Sequence, residues 1–345
     1  MARLSHKSPA MLLRLPIAVA LSLAPGAALA HDPPTPQTVW SAWSLEPALL
    51  GGLGLLAAGY GVGSARLWGR SGRGRGARRR EQLCFAGAVL ALVVALVSPL
   101  DALGHALFSA HMVQHLLLIL VAAPLLVLAR PLPALLWAAR KGGGPPGWLL
   151  WAARLPLAAL RSPLFAPVAW ALHAAALWAW HTPLLYDAAV ADPAVHVAEH
   201  AAFFGTAVLF WWAVLGPRGA GRLDPGVGVL YVFTMAVQGS ILAALLTFAP
   251  ASWYGAHGAG AVIWRLAHPE GAGAEGLFVC GPVEPTALAA ALLEDQQLAG
   301  LLMWVPSGVI YTLAALWLLA RWLGEAERRA EGRSQRLREA RLRCD

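Results

Sequence analysis

The sequence is short of charge. Only 13% of its 345 residues are Asp, Glu, Lys or Arg, where a soluble domain carries about 25%. With 58% hydrophobic residues and a mean hydropathy of +0.59, this excludes an ordinary water-soluble globule and predicts an integral membrane protein. Cysteine is scarce as well. Of Cys84, Cys280 and Cys344, none forms a C-x-x-C pair, and the topology below leaves only Cys280 on the oxidising side. No intramolecular disulfide and no paired-thiol chemistry of the thioredoxin type is expected. There is no methionine-rich stretch and no internal repeat of the kind transporters carry.

What is present is a set of long apolar runs. Residues 1–30 read as a secretory signal, with a basic start (Arg3, Lys7, Arg14), a short apolar core at 15–24 and the small-x-small site Ala28-Leu29-Ala30. The core is short for a membrane span; the alternative is an uncleaved anchor helix. Cleavage would leave His31-Asp32 at the new terminus, with residues 31–44 outside the cytoplasm. Residues 45–323 then form an all-α, polytopic membrane domain. Seven stretches are long enough to cross about 30 Å of hydrocarbon: 45–67, 82–100, 106–129, 163–182, 196–216, 226–249 and 295–323. Pro124 and Pro306 are expected to break the third and the last, which membrane helices tolerate.

Basic residues orient the bundle. Twenty-two lie in alternate connections and the tail, at 66–80, 130–161, 216–226 and from 321 onward, against Arg265 alone on the other side. Lys and Arg accumulate on the cytoplasmic side of membrane proteins. The expectation is therefore an inner-membrane protein with its N-terminus outside and its C-terminus in the cytoplasm. The pI near 10.1 reflects orientation in a lipid bilayer and not nucleic-acid binding. Segment 148–160 mixes Trp, Leu and Arg and reads as an interfacial amphipathic helix. Segment 250–293 reads as an outer loop with Trp253, Tyr254 and Trp264 at headgroup level. The Glu/Arg tail 324–345 reads as a solvated helix or a disordered end.

This topology gathers nine of the ten histidines beyond residue 30 at the outer end. His173, two turns deeper, is the exception. His111/His115 and His196/His200 are i,i+4 pairs, so each pair points one way from its helix. Imidazole is costly in lipid, and helix-packing hydrogen bonds there are worth only about 0.6 kcal/mol on average. Packing alone is a poor reason for four of them, and a shared metal site is the better one. His181 and Asp295 fall within about 15 Å of the same surface and are the next candidates. Met112 and Met303 can supply sulfur, which would favour Cu(I), although core packing is the commoner role of a Met. Gln114 and Asp295 are natural groups to orient an imidazole. His105, His257 and His268 read as interfacial residues.

The same residues admit other chemistry. His196-x-x-Glu199-His200 matches H-x-x-E-H, the inverted zinc-peptidase pattern, in which two ligands one turn apart flank a water-activating Glu. Facing histidines can also clamp a haem; with none in the inner half, a chain of two haems across the membrane is excluded. Cleavage after Ala30 would give His31 a free amine able to chelate copper with its imidazole.

Taken in order, Ser98-Pro99-Leu100, His111-Met112-Val113-Gln114-His115-Leu116, Trp180-His181-Thr182-Pro183, His196-x-x-Glu199-His200, Glu294-Asp295-Gln296-Gln297-Leu298-Ala299-Gly300 and Met303-Trp304-Val305-Pro306 resemble the multi-span CtaG family of caa3-type cytochrome c oxidase assembly factors. The resemblance covers about residues 45–323. It implies a non-enzymatic role in maturing the oxidase around its copper centres, with oxidase subunits and copper carrier proteins as partners. It leaves open whether the step is metal insertion, metal reception or holding a subunit open.

Overall fold

The computed structural model describes residues 38–71, 78–139, 160–217, 219, 221–255 and 285–342. The signal segment, His31, His257, His268, Trp264, Cys280, Cys344 and nearly all of 148–160 lie outside these. The described residues hold ten helices of eight residues or more and no strand. They are α1 (Pro47–Ser71), α2 (Arg79–Leu96), α3 (Pro99–Ala106), α4 (Phe108–Ala129), α5 (Pro131–Ala138), α6 (Phe165–Trp180), α7 (Pro183–Ala191), α8 (Pro193–Leu215), α9 (Pro225–Thr247) and α10 (Pro285–Leu342).

All seven apolar stretches become helix, but the count of spans is smaller. By length and composition, α1, α4, α8, α9 and α10 can cross a membrane. A sixth appears if α2 and α3 are taken together across their 43° bend. The bend follows from Ser98-Pro99: Pro99 occupies the first helical position, and the Ser98 hydroxyl accepts from Leu100 N–H at 3.2 Å, starting a new helix. At 16 residues α6 is about 24 Å long, short of a full hydrocarbon core. Large apolar side chains such as Leu55, Leu90, Leu230, Phe233 and Leu313 stand exposed around the bundle, as lipid contacts require. The chain is a multi-pass membrane protein.

Neither proline breaks its helix. Pro124 has no N–H and its ring crowds the preceding turn. The strain is absorbed by a π-helical stretch, Leu117–Ala122, in which Ala123 N–H reaches Leu118 O, five residues back. In that register the partner of Ile119 O would be Pro124, which has nothing to donate. Trp211 of α8 donates its Nε1–H to Ile119 O instead, at 2.8 Å. Around Pro306, the Ser307 hydroxyl donates back to Met303 O and Trp304 O, and α10 runs on for 58 residues, roughly 87 Å. The described tail is part of that helix.

Small residues set the closest contacts, as between membrane helices generally. A Cβ on Gly63 would strike the Ala134 carbonyl of α5, and one on Gly300 the Thr247 hydroxyl of α9. Arg66 closes the α1–α5 contact by donating to Ala138 O at 2.6 Å. The largest apolar core lies between α4, α8, α9 and α10, around Phe203, Phe210, Trp211, Met235 and Tyr311. It forms the floor beneath the histidines.

Candidate metal centre

Two helices supply the centre, and both begin at the same end of the bundle. The start of α8 is fixed by Asp192, whose carboxylate accepts from Ala194 N–H at 2.7 Å and Val195 N–H at 3.3 Å. His196, Glu199 and His200 therefore fall in its first two turns. The start of α4 is fixed from another helix. Asp295 of α10 accepts from Phe108 N–H at 2.6 Å and Ser109 N–H at 3.2 Å, so His111 and His115 fall in the first two turns of α4.

The two i,i+4 pairs meet. Ring centroids of His111 and His196 are 5.2 Å apart, those of His115 and His200 5.3 Å, and those of His111 and His200 5.9 Å. Within each helix the rings lie 4.4 Å (His111/His115) and 4.1 Å (His196/His200) apart. Glu199 stands among them. Its Oε2 is 3.3 Å from His111 Nε2, hydrogen-bond distance, and its Oε1 is 3.8 Å from His115 Nε2. His111, His115, His196 and Glu199 are buried, Glu199 completely; His200 is half-buried overall.

Donor atoms of His111, His115 and His200 lie within 4.8 Å of one another, and so do those of His111, His196 and Glu199. Tetrahedral Zn–N bonds of about 2.0–2.1 Å put ligand atoms about 3.4 Å apart, so modest rotamer shifts close either set. Several polar atoms here are buried without a hydrogen-bond partner among the described residues: both ring nitrogens of His115, Nε2 of His200 and Oε1 of Glu199. A buried unsatisfied polar atom costs about 1–3 kcal/mol, and native proteins keep few. A bound cation would take up one ring nitrogen of each histidine that ligates it. The donor set fits a metal ion.

Not every expected residue joins the cluster. His181 ends α6, its Nδ1 2.6 Å from Leu177 O, while its own carbonyl accepts from the Tyr254 hydroxyl at 2.7 Å. Burial and the nearby carboxylates of Asp187 and Glu199 push the Tyr254 phenol up, so it stays a donor. Asp295 serves as the cap described above. Gln114 donates to Ala95 O at 2.8 Å and Asp101 Oδ1 at 3.0 Å, tying α4 to α2 and α3 and orienting no imidazole. Met112 packs with Phe108, Tyr186, Leu246 and Tyr254, and Met303 rests against that group. His173 lies apart, its Nδ1 3.0 Å from the Thr206 hydroxyl.

Two residues matter more than the sequence indicated. Glu199 has the position of a ligand and reaches both histidines of α4. His105, read as merely interfacial, is exposed and lies ring to ring with His196 at 4.8 Å. The available signal was Ser98-Pro99, which starts a short helix that delivers His105 to the mouth of α4.

The profile of the cytochrome c oxidase caa3 assembly factor family (Caa3_CtaG) matches residues 58–325. The chain belongs to this family. The matched span takes in every residue of the histidine–glutamate cluster. Among curated proteins, the Caa3_CtaG chain is similar to an uncharacterized protein of Mycobacterium bovis and one of Mycobacterium tuberculosis. Each is 31% identical over 202 residues, covering 56% of this chain. The matched stretch spans only 29% of those relatives' length. No solved structure matches the chain.

Proposed function

We propose that this assembly factor supports maturation of a copper centre of cytochrome c oxidase by holding copper at the histidine–glutamate cluster. The observation that carries this reading is the convergence of His111, His115, His196, His200 and Glu199 from two helices, with buried donor atoms of His115, His200 and Glu199 that have no hydrogen-bond partner among the described residues. Imidazole suits copper, and the sequence has no C-x-x-C thiol pair to take that role. The site opens to the periplasmic side of the inner membrane. The distribution of basic residues, twenty-two against one, supports that orientation, with the N-terminus outside and the C-terminus cytoplasmic. Oxidase subunits are the recipients and a copper carrier protein the donor.

A zinc-dependent hydrolase is the second reading. It is favoured by the H-x-x-E-H spacing and by Glu199 lying within a His/His/Glu donor set. Its weakness is that both carboxylate oxygens face histidines of α4, where a water-activating Glu needs a free oxygen.

Metal analysis of purified protein tests the proposal, comparing wild type with the His111→Ala variant, which removes the residue common to both donor sets. Copper bound by wild type and lost in the variant, together with loss of oxidase activity in cells expressing the variant at normal level, is the expected result. Equal metal in both proteins overturns the shared site. Zinc in place of copper, with peptide hydrolysis, supports the second reading.

A further inference from the structure

We propose that the cluster holds a single copper ion in either of two positions that share His111, and that His105 is the first ligand an arriving ion meets. This deepens the metal reading above and rests on it. The four histidines are arranged as two rungs. His111 and His196 form the upper one and His115 and His200 the lower, with centroid separations of 5.2 and 5.3 Å. Four residues of helix separate the rungs by about 6 Å. Glu199 reaches both, Oε2 towards His111 and Oε1 towards His115. The two groups of donors that come within 4.8 Å are therefore an upper set, His111/His196/Glu199, and a lower set, His111/His115/His200.

The ends of this ladder differ. Above it, His105 is exposed and lies 4.8 Å from the ring of His196. Below it, the completely buried ring of Phe203 lies 4.4 Å from that of His115, with the apolar core beyond. An ion therefore enters and leaves by the same end. It descends when its bonds to His196 and Glu199 break as bonds to His115 and His200 form. His111 stays bound throughout and no electron is transferred. The lower, all-imidazole set suits Cu(I) and the upper set, with its carboxylate, a harder ion. The lower position stores Cu(I) and the upper one passes it on. A shared ligand lets a tightly held ion still be released.

Full-length protein in lipid nanodiscs, loaded with copper(I), tests this by two readouts: copper per protein, and the rate at which a water-soluble copper(I) chelator removes it. Wild type is expected to bind one copper and release it slowly. His200→Asn keeps one copper in the upper set and releases it roughly tenfold faster or more. His196→Asn keeps one copper in the lower set and releases it more slowly than wild type. His105→Ala leaves the stoichiometry unchanged and slows loading, and His111→Ala binds none. A change in stoichiometry and release that is the same for His196→Asn and His200→Asn shows one inseparable site and overturns the two positions. Unaltered loading in His105→Ala overturns its role as first ligand. Wild type that binds no copper overturns the metal reading itself. Equal melting temperatures across the variants exclude misfolding as the cause.

Discussion

The carboxylate of Asp295 accepts from the backbone N–H of Phe108 at 2.6 Å, and so one helix caps another across 187 residues of sequence. The capped helix carries His111 and His115. Asp295→Ala removes the acceptor of two amide groups and is expected to cost about 1–2 kcal/mol. The loss is read as a lower melting temperature in detergent. Copper binding should weaken as well, since α4 loses its axial stop, while Asp295→Asn should retain part of both properties. Full copper affinity in a destabilised Asp295→Ala protein would separate the cap from the site.

Trp211→Phe keeps the ring and deletes the indole N–H. Ile119 O then has no donor, because the π register points it at Pro124. The expected cost is about 1–3 kcal/mol, the penalty for a buried acceptor left unpaired, measured by thermal unfolding. Pairing it with Pro124→Ala should recover part of that loss. An alanine restores the missing N–H, and a double-mutant cycle would report the coupling.

Gly104→Ala places a Cβ against the side-chain oxygen of Gln114. Gln114 is held by bonds to Ala95 and Asp101 and cannot swing aside without breaking them. Overpacking of this kind costs about 1–3 kcal/mol. The added Cβ lies next to His105 in the chain and 3.5 Å from His111 Cα across the α3–α4 junction, so slower copper loading should accompany lower stability.

Glu199→Gln is nearly isosteric and removes the negative charge. It should lower copper affinity roughly 10–100-fold with little change in melting temperature, since the amide oxygen can still accept. For the wild type, ligation requires neutral imidazole and ionised carboxylate. Occupancy must therefore fall as pH is lowered, and titration of bound copper against pH checks the sign.

Much of this arrangement was legible in the sequence. Apolar runs located the helices, and i,i+4 spacing located both histidine pairs with the correct facing. Features that depended on contacts between distant segments were not legible. With the last span starting at 295, Asp295 reads as a candidate ligand or imidazole partner at a helix mouth. The Ala-rich run 286–293 is strongly helix-forming, so the helix begins at Pro285 and Asp295 points sideways into the start of α4. Pro124 was expected to break its helix, because nothing in the local sequence announces that Trp211, 92 positions away, supplies the missing donor. Local sequence offers Glu199 only the role of water-activating base in the alternative H-x-x-E-H reading, whereas its contacts are to another helix.

The π stretch at Leu117–Ala122 also has a consequence for phase. A π turn accommodates one residue beyond the α-helical number, and each residue of an α-helix advances the azimuth by about 100°. The two halves of α4 are thus set independently: the upper half aims its histidines at α8, and the lower half aims Val127 at the apolar core. Deleting one residue from this stretch together with Pro124→Ala would convert α4 into uninterrupted α-helix. With the lower half held by its packing, His111 and His115 would rotate about a quarter-turn off axis, and both donor sets would disappear without any ligand having been mutated.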